Sequence, residues 1–236
     1  MSSTNQRRAT QQVEEPFVYT PDQLAVLVEH ASQLERLLIL TGVNCAFGPS
    51  ELGHLRTSHL RVSSQSQSTD GFTKDSQTES FVWFIKSRTG SYGEWILWPE
   101  TANALRWGVQ RAGRLGSQFL ACGDNDISLR QPMTGRPTRL FVHMWHRLTR
   151  RVHREHPSFP RADIGVLKNM LPTAIRRHYT DDLASTALMY RTPVVDAEPP
   201  TIGQEPFARL HNAIKELGNY FKPMLDAARS GPASKV

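Results

Sequence analysis

Residues 81–98, Phe81-Val82-Trp83-Phe84-Ile85-Lys86-Ser87-Arg88-Thr89-Gly90-Ser91-Tyr92-Gly93-Glu94-Trp95-Ile96-Leu97-Trp98, hold two β-rich runs around a glycine-containing connector. Phe81 to Ile85 and Glu94 to Trp98 combine aromatic and β-branched side chains, which suit a pleated, half-buried surface. Lys86 to Gly93 has the composition of a turn, so the pair is expected to form one small antiparallel hairpin. The tryptophans Trp83, Trp95 and Trp98 are expected to pack that hairpin against helices.

Upstream of the hairpin the periodicity is helical. Thr20-Pro21-Asp22-Gln23 reads as a helix start, with a capping hydroxyl, proline at the first helical position and a glutamine that can return a hydrogen bond. Leu24, Leu27, Val28 and Ala31 follow on one face. A second apolar run, Leu34 to Leu40, is expected to end at Thr41-Gly42, and a third helix to begin after Pro49-Ser50 and carry Leu52 and Leu55. The Ser-, Gln- and Asp-rich stretch from Arg61 to Ser80 reads as a loop or hairpin tip.

Downstream, Ala102, Leu105 and Val109 mark a helix after Pro99. A Gly-, Pro- and Arg-rich connection from Gly123 to Arg139 leads to another helix over Leu140 to His153. An apolar segment from Ile164 to Met170 precedes a largely helical stretch from Leu171 to Met189. The expected class is mainly α with a small antiparallel β-hairpin or sheet, α+β. Residues 1–16 form a polar lead-in and 17–192 the main domain. Residues 193–206, rich in proline, are a linker, 207–228 one C-terminal helix with Leu210, Ile214, Leu217 and Phe221 on its apolar face, and 229–236 a tail.

Composition narrows the function classes. With 28 Lys and Arg against 22 Asp and Glu, the net charge of +6 favours partners that present phosphates or carboxylates. Two cysteines, Cys45 and Cys122, make neither a disulfide framework nor a paired metal site, so a reducing, cytoplasmic setting is expected. No apolar run approaches the roughly 20 residues of a spanning helix, so no membrane partner is expected. His143, His146 and His153 share a helical spacing, yet no carboxylate or thiol completes a ligand set, and neither a metal nor another cofactor is expected.

Three segments carry a resemblance to a family. The first, Leu37 to Arg56, is an apolar helix ending at a small-residue turn, Asn44-Cys45-Ala46-Phe47-Gly48, with Glu51-Leu52 opening the next helix. The second is the lysine-bearing hairpin running into Pro99-Glu100-Thr101 and Ala104-Leu105. The third is Thr173-Ala174-Ile175-Arg176-Arg177-His178-Tyr179. In order and spacing, over about Glu35 to Tyr190, they resemble the catalytic domain of tyrosine recombinases of the phage-integrase type. That resemblance implies a domain that binds double-stranded DNA, as a homo-oligomer on the duplex, standing alone or as a piece of a longer integrase without its N-terminal core-binding domain.

In that chemistry a tyrosine hydroxyl attacks a phosphodiester, two arginines hold the non-bridging oxygens and a lysine protonates the leaving 5′-oxygen. By resemblance Arg176 takes the register of the second arginine and Lys86 that of the hairpin lysine, with Arg88 the alternative. Tyr190, in Leu188-Met189-Tyr190-Arg191, stands in the nucleophile's context. The pattern also departs from the family. Gly48 stands where the first arginine belongs and Thr173 where a histidine belongs; the Leu-Gly-His box is not recognisable, and Tyr190 follows Arg176 by only 14 residues. The expectation is therefore a DNA-binding, integrase-like protein with impaired or absent cleavage. An active recombinase using Tyr190 and a helical protein-interaction module are the alternatives. Arg177 and His178 beside Arg176, and Arg147, Arg150 and Arg151 in the densest basic run, are the candidate phosphate contacts, although such a run is also what a solvated helix face looks like.

Overall fold

The computed structural model describes residues 16–61, 79–86, 89–122, 139–190 and 205–230. Arg88, the segment to residue 15, residues 191–204 of the proline-rich stretch and the tail from 231 lie outside the described residues. The described residues form nine α-helices and a three-stranded antiparallel sheet, so the class is α+β. None of the described helices is long and apolar enough to cross a membrane.

Helix α1 (Pro21–Glu29) starts with the anticipated reciprocal cap. The Gln23 N–H donates to Thr20 Oγ1 at 3.2 Å and the Thr20 N–H to Gln23 Oε1 at 2.9 Å. Helix α2 (Gln33–Asn44) opens with a second such box, Ser32 and Glu35. It does not stop at Thr41-Gly42 but continues to Asn44. Gly42 serves close approach rather than termination, because a Cβ there would sit 3.0 Å from Leu167 Cβ and 3.3 Å from the Phe47 carbonyl oxygen. The turn that follows passes through Ala46 at φ 52° and leads to α3 (Pro49–His54).

Strands β1 (Leu60–Arg61), β2 (Phe81–Ile85) and β3 (Tyr92–Ile96) pair in that order, with Phe81 opposite Ile96 and Ile85 opposite Tyr92. The third strand thus lies two residues earlier than the run of β-formers suggests. Leu97 and Trp98 turn out of the sheet into α4 (Pro99–Arg114) because Asn44 clamps the exit: its Nδ2 donates to the Ile96 carbonyl and its Oδ1 accepts the Trp98 N–H, both at 2.9 Å. The Trp98 indole N–H donates to the Ile214 carbonyl at 2.8 Å, tying this corner to the C-terminal region as well.

The chain continues through α5 (Arg139–Glu155), a 3-10 turn at Ile164–Val166, α6 (Leu167–His178), α7 (Asp181–Ala187), α8 (Phe207–Leu217) and α9 (Lys222–Arg229). The single C-terminal helix expected over 207–228 is in fact two. Pro223 falls in the first turn of α9, where its missing N–H costs nothing; in a continuous helix it would leave a carbonyl unbonded and clash with the preceding turn. Phe221 at the break is fully buried, with its ring 5.3 Å from that of Trp98. Helix α8 covers β3 and α9 packs on α1, so both belong to the same core as the hairpin.

A histidine packed beside the sheet is expected to make stability depend on acid. His59 lies half-buried with its ring 4.9 Å from Trp83 and 5.3 Å from Phe84, and its Nδ1 accepts the Arg56 N–H at 3.3 Å. Burial, reinforced by the nearby Arg56 and His54 charges, pushes its pKa down to about 4. The unfolded chain takes up a proton near pH 6.5 that the folded imidazole refuses. Stability should fall as pH drops from 6.5 toward 4, and a His59→Gln variant should show a shallower loss in urea midpoints measured across that window. Parallel profiles for the two proteins would remove His59 as a cause.

Candidate functional site

Lys86 follows β2 directly. Its carbonyl accepts the Thr89 and Gly90 N–H groups at 3.1 and 2.8 Å. The ammonium does not project into solvent. It donates to the Leu188 carbonyl at 2.9 Å and lies over the Tyr190 ring, 5.2 Å from the centroid. Burial lowers its pKa, the Lys168 charge lowers it further, and Glu51 opposes both.

The partner segment is the end of α7. Leu188 and Met189 are buried, Met189 in the left-handed region at φ 57°, and Tyr190 emerges with half its surface exposed, its N–H donating to the Ser185 carbonyl at 2.8 Å. Met189 seats on β3 at Gly93, where a Cβ would come within 2.6 Å of its Cγ. A strand glycine therefore admits the segment that brings Tyr190 to Lys86.

Gly48, Glu51 and Lys168 form a second group, whose Lys168 and Glu51 charges act on Lys86. Glu51 Oε2 accepts the Gly48 N–H at 3.0 Å, while Oε1 lies 3.5 Å from the Lys168 ammonium. The side chain that Gly48 lacks would begin 3.4 Å from Lys168 Cδ. Thr173, on α6, is buried, and its hydroxyl has no hydrogen-bond partner among the described residues.

Arg176 is placed differently. Its Nε lies 3.4 Å from Asp181 Oδ1 at the start of α7, an exposed pair, whereas Lys86 and Tyr190 contact each other. His178 packs edge-on against Tyr220, with ring centroids 5.5 Å apart, and the Tyr179 hydroxyl donates to Glu216 at 2.5 Å. Arg176, Arg177, His178 and Tyr179 are all exposed at the C-terminal end of α6. The last turn of that helix, with its negative dipole end, suits such a concentration of cations.

Helix α5 sorts the basic run by face. Phe141, Met144, Trp145, Leu148 and Val152 enter the core, leaving His143, His146, Arg147, Arg150 and Arg154 as an exposed stripe at three- and four-residue spacing. Arg150 also folds back so that its Nε donates to the His146 carbonyl at 3.3 Å. Arg151 points the other way: it pairs with Glu35 and donates to the His30 carbonyl at 3.2 Å, holding α5 to the α1–α2 junction. It is a packing arginine in this arrangement. Arg147 and Arg151 border a cleft of about 860 Å³ that also takes in Glu29, Glu35 and Glu155, a mixture of signs poorly suited to a polyanion. That cleft is built by other elements than the Lys86 site.

Among the described residues no group of three His, Cys, Asp or Glu side chains is arranged to hold a metal ion. Lys168 was missed by sequence reasoning; the available signal was a single cation inside the apolar segment Ile164 to Met170. Comparison with protein-family models, curated proteins and solved structures finds no match for this chain.

Proposed function

We propose that the chain is a DNA-binding, integrase-like protein that holds a duplex through phosphate contacts and is impaired in strand cleavage. The observation that carries this reading is that Lys86 lies against Tyr190 and within the electrostatic reach of the Lys168–Glu51 pair beside Gly48, residues from four separate parts of the chain. The net charge of +6 and the exposed cations on α5 and at the end of α6 give the sequence-independent attraction that a duplex needs.

The impairment follows from chemistry. Forming a phosphotyrosyl bond requires a tyrosinate to attack phosphorus while cations neutralise the equatorial oxygens and an acid protonates the departing 5′-oxygen. Gly48 has no side chain and its N–H is already bonded to Glu51. Thr173 is a buried hydroxyl without basic character near neutral pH, and Arg176 faces Asp181. A second reading, a working recombinase, is favoured by one observation: Tyr190 is exposed and the Lys86 ammonium lies against its ring.

Incubation with a nicked duplex at low and moderate salt, scoring retention and SDS-resistant adducts together, separates the readings. Salt-sensitive retention without adduct is the expected result. An adduct that disappears in Tyr190→Phe would establish the second reading, and loss of retention at both salts would overturn the DNA-binding reading in favour of a protein-interaction module.

A further inference from the structure

The space around Gly48 is already taken by a cation. Gly42 allows α6 to begin against α2, with Leu167 in contact, and the next residue, Lys168, then runs its stem across Gly48. A Cβ at Gly48 would lie 3.4 Å from Lys168 Cδ, 3.7 Å from Lys168 Cβ and 3.3 Å from Glu51 Oε2. An arginine at position 48 and a lysine at 168 would therefore compete for one volume. The ammonium of Lys168 is within the electrostatic reach of Lys86, and Glu51 acts on both.

We infer that Lys168 and Lys86 together take one phosphate group, Lys168 supplying from α6 the cation that the Gly48 position does not, and that Glu51 is the counter-ion the phosphate displaces from Lys168. This rests on the phosphate-binding reading above and names the residues that do the binding. At 3.5 Å the Lys168–Glu51 pair is longer than the 2.7–2.9 Å typical of a charge-assisted hydrogen bond, so the ammonium gives up little by turning to another anion. Glu51 stays in place when it does, because its other oxygen is held by the Gly48 N–H. Lys168 is partly exposed while Glu51 is nearly buried, so the cation is the mobile member. The Lys86 ammonium, which faces the Lys168 charge, gains from an anion placed between the two.

Two probes test this: a short duplex, with affinity measured against salt, and inorganic phosphate, followed by its 31P linewidth. The variants are Lys168→Met, which keeps the stem over Gly48, Lys168→Arg, and Glu51→Gln, which keeps an oxygen for the Gly48 N–H. Lys168→Met should weaken duplex binding regardless of sequence and reduce the slope of log affinity against log salt by about one. Lys168→Arg should restore both, and Glu51→Gln should tighten binding. An unchanged slope and affinity in Lys168→Met, with loss in Lys86→Met, would overturn the role of Lys168. If the parent retains no duplex, the DNA-binding reading falls and the phosphate titration decides alone: parent broadening abolished by Lys168→Met upholds the site, whereas broadening that persists, or none in the parent, overturns it.

Discussion

Replacing His211 with leucine should destabilise the protein by about 2 kcal/mol. The residue sits on α8 with its Nε2 3.2 Å from Oε1 of Glu94, a carboxyl with no exposed surface in the middle of β3. The Tyr92 hydroxyl donates to the other Glu94 oxygen at 2.7 Å; Tyr92 and Glu94 are two apart on one strand and so project to the same side of the sheet. Phe81 packs on the imidazole with centroids 5.1 Å apart. Burial pushes the His211 pKa down to about 4, so at neutral pH an uncharged imidazole meets the carboxyl. Leucine restores the volume but removes the imidazole nitrogen beside Glu94 Oε1, while Oε2 keeps the Tyr92 hydroxyl. Urea denaturation at pH 7 measures the loss. Glu94→Gln should cost less, since the amide still accepts from Tyr92, and in the double variant the two losses should fall short of their sum. Additive losses, or a His211→Leu cost under about 1 kcal/mol, would mean that apolar contacts alone hold α8 to the sheet.

The elements that were legible in the sequence are those written in a few neighbouring residues. Thr20-Pro21-Asp22-Gln23 specifies its cap locally, and the turn from Lys86 to Tyr92 closes where glycine allows it, at Gly90 with φ 67°. Apart from the C-terminal helix, which Pro223 divides locally, the errors share a physical origin in partners distant along the chain. Gly42 reads as a helix stop until Leu167 is set against it, and Trp98 reads as a strand residue until Asn44 and Ile214 claim its two N–H groups. Arg151 belongs to a basic run in sequence and to Glu35 in space. In the candidate site Lys86 and Tyr190 could be singled out as chemistry-bearing residues. That a lysine from α6 lies beside Gly48 could not, because its position depends on how closely two helices approach.

Gly93→Ala should lower the melting temperature by roughly 4–8 °C, the equivalent of about 2 kcal/mol of overpacking in a chain of this size. The added Cβ would stand 2.5 Å from Trp95 Cη2 and 2.6 and 3.0 Å from Met189 Cγ and Sδ, closer than folded structures tolerate. Trp95 has no room to yield, being fully buried with its ring 4.8 Å from that of Phe47, which in turn lies 5.5 Å from Phe84. Methionine has the freer side chain, so Met189 should move. Its backbone is in the left-handed region, and Leu188 and Tyr190 on either side make the contacts to Lys86. Unseating Met189 should therefore separate Lys86 from the Leu188 carbonyl and the Tyr190 ring, and the Lys86 pKa, lowered first of all by burial, should rise toward that of a solvated lysine. Carbon-13 NMR of labelled lysines reads that shift directly. Shortening Met189 to alanine in the Gly93→Ala background should recover part of the lost stability without returning the Lys86 resonance, because the clash is relieved while the seat stays empty. A Gly93→Ala protein as stable as its parent, with the Lys86 titration unmoved, would mean that α7 finds its position without β3.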